Sequence, residues 1–334
     1  MTPKENIHAF FEGRPYEWKP VGTDKKTFQP EEISEYVARA FVFQQEPYTG
    51  PKGGKGWFGI DWEFEPGAGG SISLKPILDE VTEWKEKMPF PNWDDIDWEA
   101  IAEKNAGYLS TDCAIQFTIF TGYFERLISL LSFEEAAMEL IMEDYEEDIQ
   151  ELFTALTDLY IDFAKRYRRY FGADWVVIHD DWGTQRAAFF SPAVHRKMIV
   201  PHLTRFAEEC HKAGLVVEMH SCGFIEELIP NLISTGIDTW VGQSICDKKK
   251  LVCQYGSQFR FSVASNPRKP FSSLDEAKAF AENIFEEYRD KDVVFWNVPV
   301  MSGSREAYNT LNDTLRALGK EYAAKRFGDL IQQP

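Results

Sequence analysis

The chain has 334 residues, 44% of them hydrophobic, and a formal net charge of -18. That apolar content is enough for a large core. The acidic balance argues against nucleic acid and anionic membranes as partners, because phosphate binding needs basic side chains to offset general repulsion; otherwise the charge serves solubility. No apolar run reaches the roughly 18 residues of a membrane-spanning helix. The opening "MTPKENIHAFFEGRPYEWKP" has no basic region followed by an apolar stretch, so no secretory signal is read there and a cytoplasmic location is expected. Five cysteines, few and odd in number, are expected as thiols in a reducing compartment. Ten tryptophans and 26 phenylalanines supply core, and flat ligands also favour such rings.

Residues 1–107 hold the stretches "YTGPKGGKGWFG", "EFEPGAGGS" and "FPNWDDIDWEA". Their Gly/Pro density predicts a decorated, loop-rich entry region without a linker to a separate domain. Residues 108–334 alternate regularly. "CAIQFTIFTG" reads as a buried strand. "SFEEAAMELIM" and "DIQELFTALTDLYIDFAKRYRRY" read as helices, with Leu152, Leu156, Leu159, Phe163 and Tyr167 recurring every three or four residues. The strand "DWVVIHDDWG" precedes one helix over "SPAVHRKMIVPHLTRFAEECHKAG", capped by Ser191, opened by Pro192 and ended at Gly214. "LVVEMHSCG", "IDTWVGQSI", "FRFSVASN" and "DVVFWNVPV" read as further strands. The helices "FIEELIPNLISTG", "DKKKLVCQYG", "SLDEAKAFAENIFEEYRDK" and "SREAYNTLNDTLRALGKEYA" follow them.

Such alternation means parallel strands with crossover helices. An open doubly wound sheet also fits. The length and the lack of an early Gly-rich phosphate loop favour one α/β domain, a (β/α)₈ TIM barrel. In a barrel the active site lies at the strand C-termini. Polar clusters fall there: His179, Asp180, Asp181, Gly183, Thr184 and Gln185; His220 and Cys222; Gln243, Ser244 and Cys246; Ser265, Asn266 and Asn297. Strand alternation puts Glu218, His220 and Cys222 on one side, and all three are zinc-ligand types. A packed thiol beside a hydrogen-bonded histidine is the plain alternative. Asp180 and Asp181 are either turn and cap residues or an acid tuned by desolvation beside Trp182. His195, His202, His211, Cys210 and Cys253 read as helix packing or surface, and Cys113 lies at the wrong strand end. The acidic run "MEDYEEDIQE" reads as a solvated face.

The order "HDDWGTQ…SP…R…P…HSCGxI…LIxxGID…Q" resembles the uroporphyrinogen decarboxylase superfamily, closest to its cobalamin-dependent methyltransferase branch. "NIHAFFEGRPYEWKPV" and "TGYFERLISLLSFEEAAMEL" are similar to that family as well. The resemblance implies a (β/α)₈ barrel that moves methyl groups to or from a corrinoid on a partner protein. No arginine-rich R-Q-A-G-R stretch stands near the N-terminus, where "PVGTDKKTFQPEE" is found, so a tetrapyrrole polycarboxylate is not the expected substrate. Thiol-methylating members bind zinc through H-x-C and a later cysteine. His220 and Cys222 match the first two positions, while "NVPVMSGSREAYN" lacks the third. Glu218 or Cys246 then completes the site, or no metal is bound.

The expected function is O-demethylation of a methoxylated aromatic, with Asp180, Asp181 and Gln185 orienting or protonating the substrate. Trp182, Gln243, Asn266 and Asn297 are expected to bind it. A methylcorrinoid:thiol methyltransferase, a metal-free decarboxylase and a non-enzymatic binding barrel are the alternatives.

Overall fold

The computed structural model describes residues 1–36, 50–67 and 70–331. Tyr48 and Thr49 of the first glycine-rich stretch, and Ala68 and Gly69 of the second, lie outside the described residues. The early strands are β1 (Lys25–Thr27), β2 (Gly54–Lys55), β3 (Asp61–Glu65) and β4 (Gly70–Ser73). The later ones are β5 (Ala114–Ile119), β6 (Trp175–His179), β7 (Val216–Ser221), β8 (Thr239–Gly242), β9 (Arg260–Ala264) and β10 (Val294–Trp296).

Seven of these strands form one sheet in the order β1-β5-β6-β7-β8-β9-β10. The pairs β5–β6, β6–β7, β8–β9 and β9–β10 are all parallel. Just before β1, Val21 forms a parallel bridge with Phe295 of β10. Just after it, the Phe28 N–H donates to the Gln116 carbonyl of β5. The order therefore returns to its start, which is the topology of a TIM-type α/β barrel. Among the described residues the barrel sheet has seven strands, where eight were expected.

The chain divides into two compact units. A terminal unit comprises Met1–Lys26, Thr111–Ala114 and Asp238–Pro334, and a central unit comprises Thr27–Ser110 and Ile115–Ile237. In the central unit, β6 and β7 are buried along nearly their whole length, with the last histidines only half-buried. The helix Glu146–Phe171 packs Leu152, Leu156, Phe163 and Tyr167 inward and ends on Gly172, whose φ of 63° supplies the left-handed cap. The N-terminal region is more regular than its composition suggests. β2, β3 and β4 form an antiparallel sheet, and Trp93, Trp98, Phe163 and Tyr167 make one aromatic cluster.

The terminal unit anchors the first segment of the chain. Asp24 is buried, accepts the Val21 and Trp18 N–H groups, and pairs with Arg316 of the helix Arg305–Ile331. Ser273 and Asp247 cap the helices Leu274–Glu287 and Lys248–Tyr255.

The single helix expected after Ser191 is two helices, Pro192–Met198 and Val200–Lys212, although Ser191 does cap the first. Pro201 explains the break, because it lacks the N–H that would continue the ladder and crowds the preceding turn. The helix Phe124–Leu130, inside a segment not separately assigned from sequence, matters most for the site below. No disulfide joins the cysteines, and no helix among the described residues is long and apolar enough to cross a membrane.

Candidate metal centre

β6 and β7 each carry an apolar residue followed by histidine near their C-terminal ends: Ile178-His179 and Met219-His220. Parallel pairing sets His179 opposite His220. Their rings stack with centroids 4.5 Å apart and planes 17° apart. The Asp180 N–H continues the ladder to the His220 carbonyl at 3.0 Å.

Beyond the strands the two loops are laced together. The Phe224 N–H donates to the Thr184 carbonyl, the Trp182 N–H to Ser221 Oγ, and the Cys222 N–H to Asp181 Oδ1 at 2.6 Å. Gly223 has φ of +88°, and a Cβ there would stand 2.2 Å from the Gly183 carbonyl oxygen. This close crossing holds Asp181 against the end of β7.

The two adjacent acids separate into different roles. Asp180 is completely buried. Oδ2 accepts the N–H groups of Tyr123 and Phe124 and the Trp182 indole, and Oδ1 accepts that of Glu125. Asp180 thus caps the helix Phe124–Leu130, the cap alternative of the two left open by sequence. Burial and the nearby Glu125 charge push its carboxyl up to about 7, against the pull of those donors. Asp181 is 31% exposed, and its Oδ1 lies 3.9 Å from His179 Nε2. Burial and the Glu125 charge raise its carboxyl too.

His179 Nδ1 meets Glu125 Oε2 at 2.8 Å. Burial opposes the charged imidazole, but the Glu125 carboxylate outweighs it and lifts the ring to about 9. The Phe120 ring stands 5.3 Å from that of His179.

Ligand atoms of His179, Asp181 and His220 lie within 4.8 Å of one another, the group of this kind among the described residues. Two imidazoles and a carboxylate fit a divalent transition ion. Three protein ligands leave a coordination position open, and Glu125 behind His179 is the outer carboxylate that ligating histidines commonly carry.

The other expected ligands are not members of this group. Cys222 lies beyond the strand end, its thiol 3.4 Å from His220 Nε2 but outside the group. Glu218 is buried two residues deeper in β7, roughly 6.5 Å back along the strand. Cys246 is buried in the turn after β8, in the terminal unit. Only His220 of the expected ligands belongs to the group, and His179 and Glu125 were not assigned these roles from sequence.

The other expected site residues are also placed. Trp182 is fully buried against His195 and gives its indole N–H to Asp180, so its ring offers no face to a ligand. Gln185 lies at the exposed tip of a hairpin closed by the Gly183–Ala188 bridge. Gln243, Asn266 and Asn297 belong to the terminal unit. Asn266 Oδ1 accepts the Val298 N–H, and Asn297 is engaged on both sides of its amide by Ser265 and Asn312.

No family model matches the chain, and no curated protein matches it. Among solved structures it is similar to a glycosylated endo-β-1,4-xylanase of glycoside hydrolase family 10 from Gloeophyllum trabeum. That likeness has 9% identity over 71% of this chain and 84% of the other, with a TM-score of 0.41. It is similar to a B12-independent methionine synthase from a Shewanella species, at 11% identity, 76% and 75% coverage and a TM-score of 0.38. It is also similar to the IOLI protein with a binding zinc atom, at 12% identity, 72% and 84% coverage and a TM-score of 0.33. Likenesses this distant assign no activity or ligand to this chain.

Proposed function

We propose that this chain is a metal-dependent methyltransferase that takes the methyl group of a methoxylated aromatic and passes it to Co(I) of a corrinoid carried by a partner protein. The observation that carries the reading is the convergence of His179, Asp181 and His220 at the ends of two adjacent strands. The resemblance of the "HDDWGTQ" and "HSCG" segments to the corrinoid branch supplies the reaction class.

The donor set supports an oxygen-bound methyl donor over a thiol. A bound divalent cation such as zinc would keep more positive charge on two imidazoles and one carboxylate than on thiolates, and would polarise an ether oxygen. The chain's own residues do the rest. Glu125 holds His179 in place. Asp181 completes the donor set as a carboxylate, and the charge of the departing aryl oxygen would be held by the cation. Phe120 gives a flat apolar wall beside His179 for the ring. The methyl group would leave its bonding electron pair on the aryl oxygen, and the partner's reduced corrinoid, as methyl acceptor, would supply the pair for the new bond to carbon.

Metal analysis of purified protein tests the site first. About one equivalent is expected in the wild type, lost in His179→Ala and in His220→Ala. Turnover then needs a reduced corrinoid protein and a panel of methoxylated aromatics and thiols. Methylation of a thiol with every ether untouched, or full turnover by metal-free protein, sinks the proposal.

A further inference from the structure

We propose that Glu125 is a positioning residue for this metal group, and that the N-terminal region reaches the group through the helix turn that carries it. The inference rests on the metal reading above. It concerns a residue that touches neither the open position nor a substrate.

Glu125 grips the group from behind. Its Oε2 holds Nδ1 of His179 at 2.8 Å, which leaves Nε2 as the nitrogen available to a metal. Nε2 is the atom that faces Asp181. A carboxylate on one imidazole nitrogen fixes the tautomer and the ring rotation, and makes the other nitrogen a better donor. Glu125 itself cannot drift, because its own N–H is tied to Asp180 Oδ1 at 2.7 Å.

The next residue is fixed from the opposite side. Arg126 is completely buried and forms a two-pronged pair with Glu35, Nη1 to Oε1 at 3.2 Å and Nη2 to Oε2 at 2.6 Å. Trp62 Nε1 donates to the same carboxylate, and the guanidinium lies 4.6 Å from the Phe58 ring centre. It also donates to Thr121 Oγ1. Among the described residues, Phe58 (φ 59°) and Thr121 (φ 57°) are the two non-glycine residues with positive φ, and both touch Arg126. Such backbone persists where the surroundings over-determine it, and it gathers at functional sites. The turn Tyr123–Arg126 is thus held by Asp180 on one side and by Glu35 and Phe58 on the other, with Glu125 between them.

A purely structural Glu–His pair would add stability and leave metal binding alone. The test therefore reads the metal directly. Full-length protein stripped of metal is titrated with Co²⁺ against a competing chelator, and the visible absorption of bound cobalt is recorded. Glu125→Ala is expected to weaken Co²⁺ binding about 10- to 100-fold and to shift the cobalt spectrum. Glu125→Gln, which keeps an acceptor for Nδ1–H, is expected to fall between Ala and the wild type. The metal-free melting temperature of both variants is measured beside the titration, so that stability lost with the Glu125–His179 pair is separated from metal affinity. Glu35→Gln, judged on its folded fraction, is expected to weaken cobalt binding less than Glu125→Ala. If the wild type binds Co²⁺ and Glu125→Ala binds it equally well with an unchanged spectrum, this inference is overturned while the metal reading stands. A wild type that takes up no Co²⁺ ends both.

Discussion

The ends of β6 and β7 in the central unit and those of β9 and β10 in the terminal unit look alike in sequence. Each pair places polar side chains just where apolar strands stop. At β9 and β10 these groups are neutral and close on one another. Asn297 Nδ2 donates to Ser265 Oγ at 2.8 Å, Asn312 Nδ2 to Asn297 Oδ1 at 3.0 Å, and Ser265 Oγ to the Trp296 carbonyl. At β6 and β7 two imidazoles and a carboxylate face a common point, with His179 and Asp181 still 22% and 31% exposed. Polarity at a strand end is therefore a poor indicator of chemistry on its own. What separates the two regions is that neutral amides and hydroxyls bond mainly to one another at β9 and β10, with Asn312 Oδ1 left over, while ionisable groups converge on one point at β6 and β7.

The largest expected effect tests the scaffold beneath the metal group. Asp180→Ala leaves the N–H groups of Tyr123, Phe124 and Glu125 and the Trp182 indole without their acceptor, and should cost about 3–5 kcal/mol of stability by urea denaturation. A variant that melts like wild type but loses metal would move Asp180 from the scaffold to the ligands. Gly223→Ala comes next. Its positive φ and the 2.2 Å approach to the Gly183 carbonyl predict a loss of about 2–4 kcal/mol, with metal binding impaired because the lacing that holds Asp181 is pushed apart.

A third test contrasts the site histidines with the packed ones of the same unit. Burial lowers His195 to about 3 and His202 to about 4. Both folded values lie below the unfolded 6.5, so as pH falls the unfolded chain takes up protons first. Their contribution to stability is complete above about pH 6.5 and is lost progressively below it. Each should add up to about 1.4 kcal/mol per pH unit of slope between roughly pH 6 and pH 4.5. His202→Gln, which can keep a partner in Gln150, should flatten the measured slope by about one proton. An unchanged slope would mean that His202 titrates normally in the folded protein.

Much of this was legible in sequence, for reasons that differ by residue. The alternation after Tyr108 and the place of His220 follow from local patterns. His179 was visible at its strand end, but its pairing with His220 depends on the β6–β7 register. Aligning "IHD" with "MHS" at the last apolar residue would have suggested it. Glu125 had no such signal, since its approach to His179 is made by loop closure and by the Asp180 cap. β1 escaped because it is three residues of polar sequence, Lys-Lys-Thr, held by neighbours and not by its own pattern. Pro201 was in plain view and marks where the predicted single helix divides.

The smallest effects on stability separate the two regions most directly. Asn297→Ala removes the amide that joins Ser265 to Asn312 and should cost about 1–3 kcal/mol, with Co²⁺ binding unchanged. His220→Ala should change the stability of metal-free protein by about 1 kcal/mol or less, since the ring is only half-buried, yet abolish Co²⁺ binding. Measured side by side, the two substitutions should dissociate in opposite directions. If Asn297→Ala weakens metal binding as much as His220→Ala does, the amide network at β9 and β10 is more than local packing.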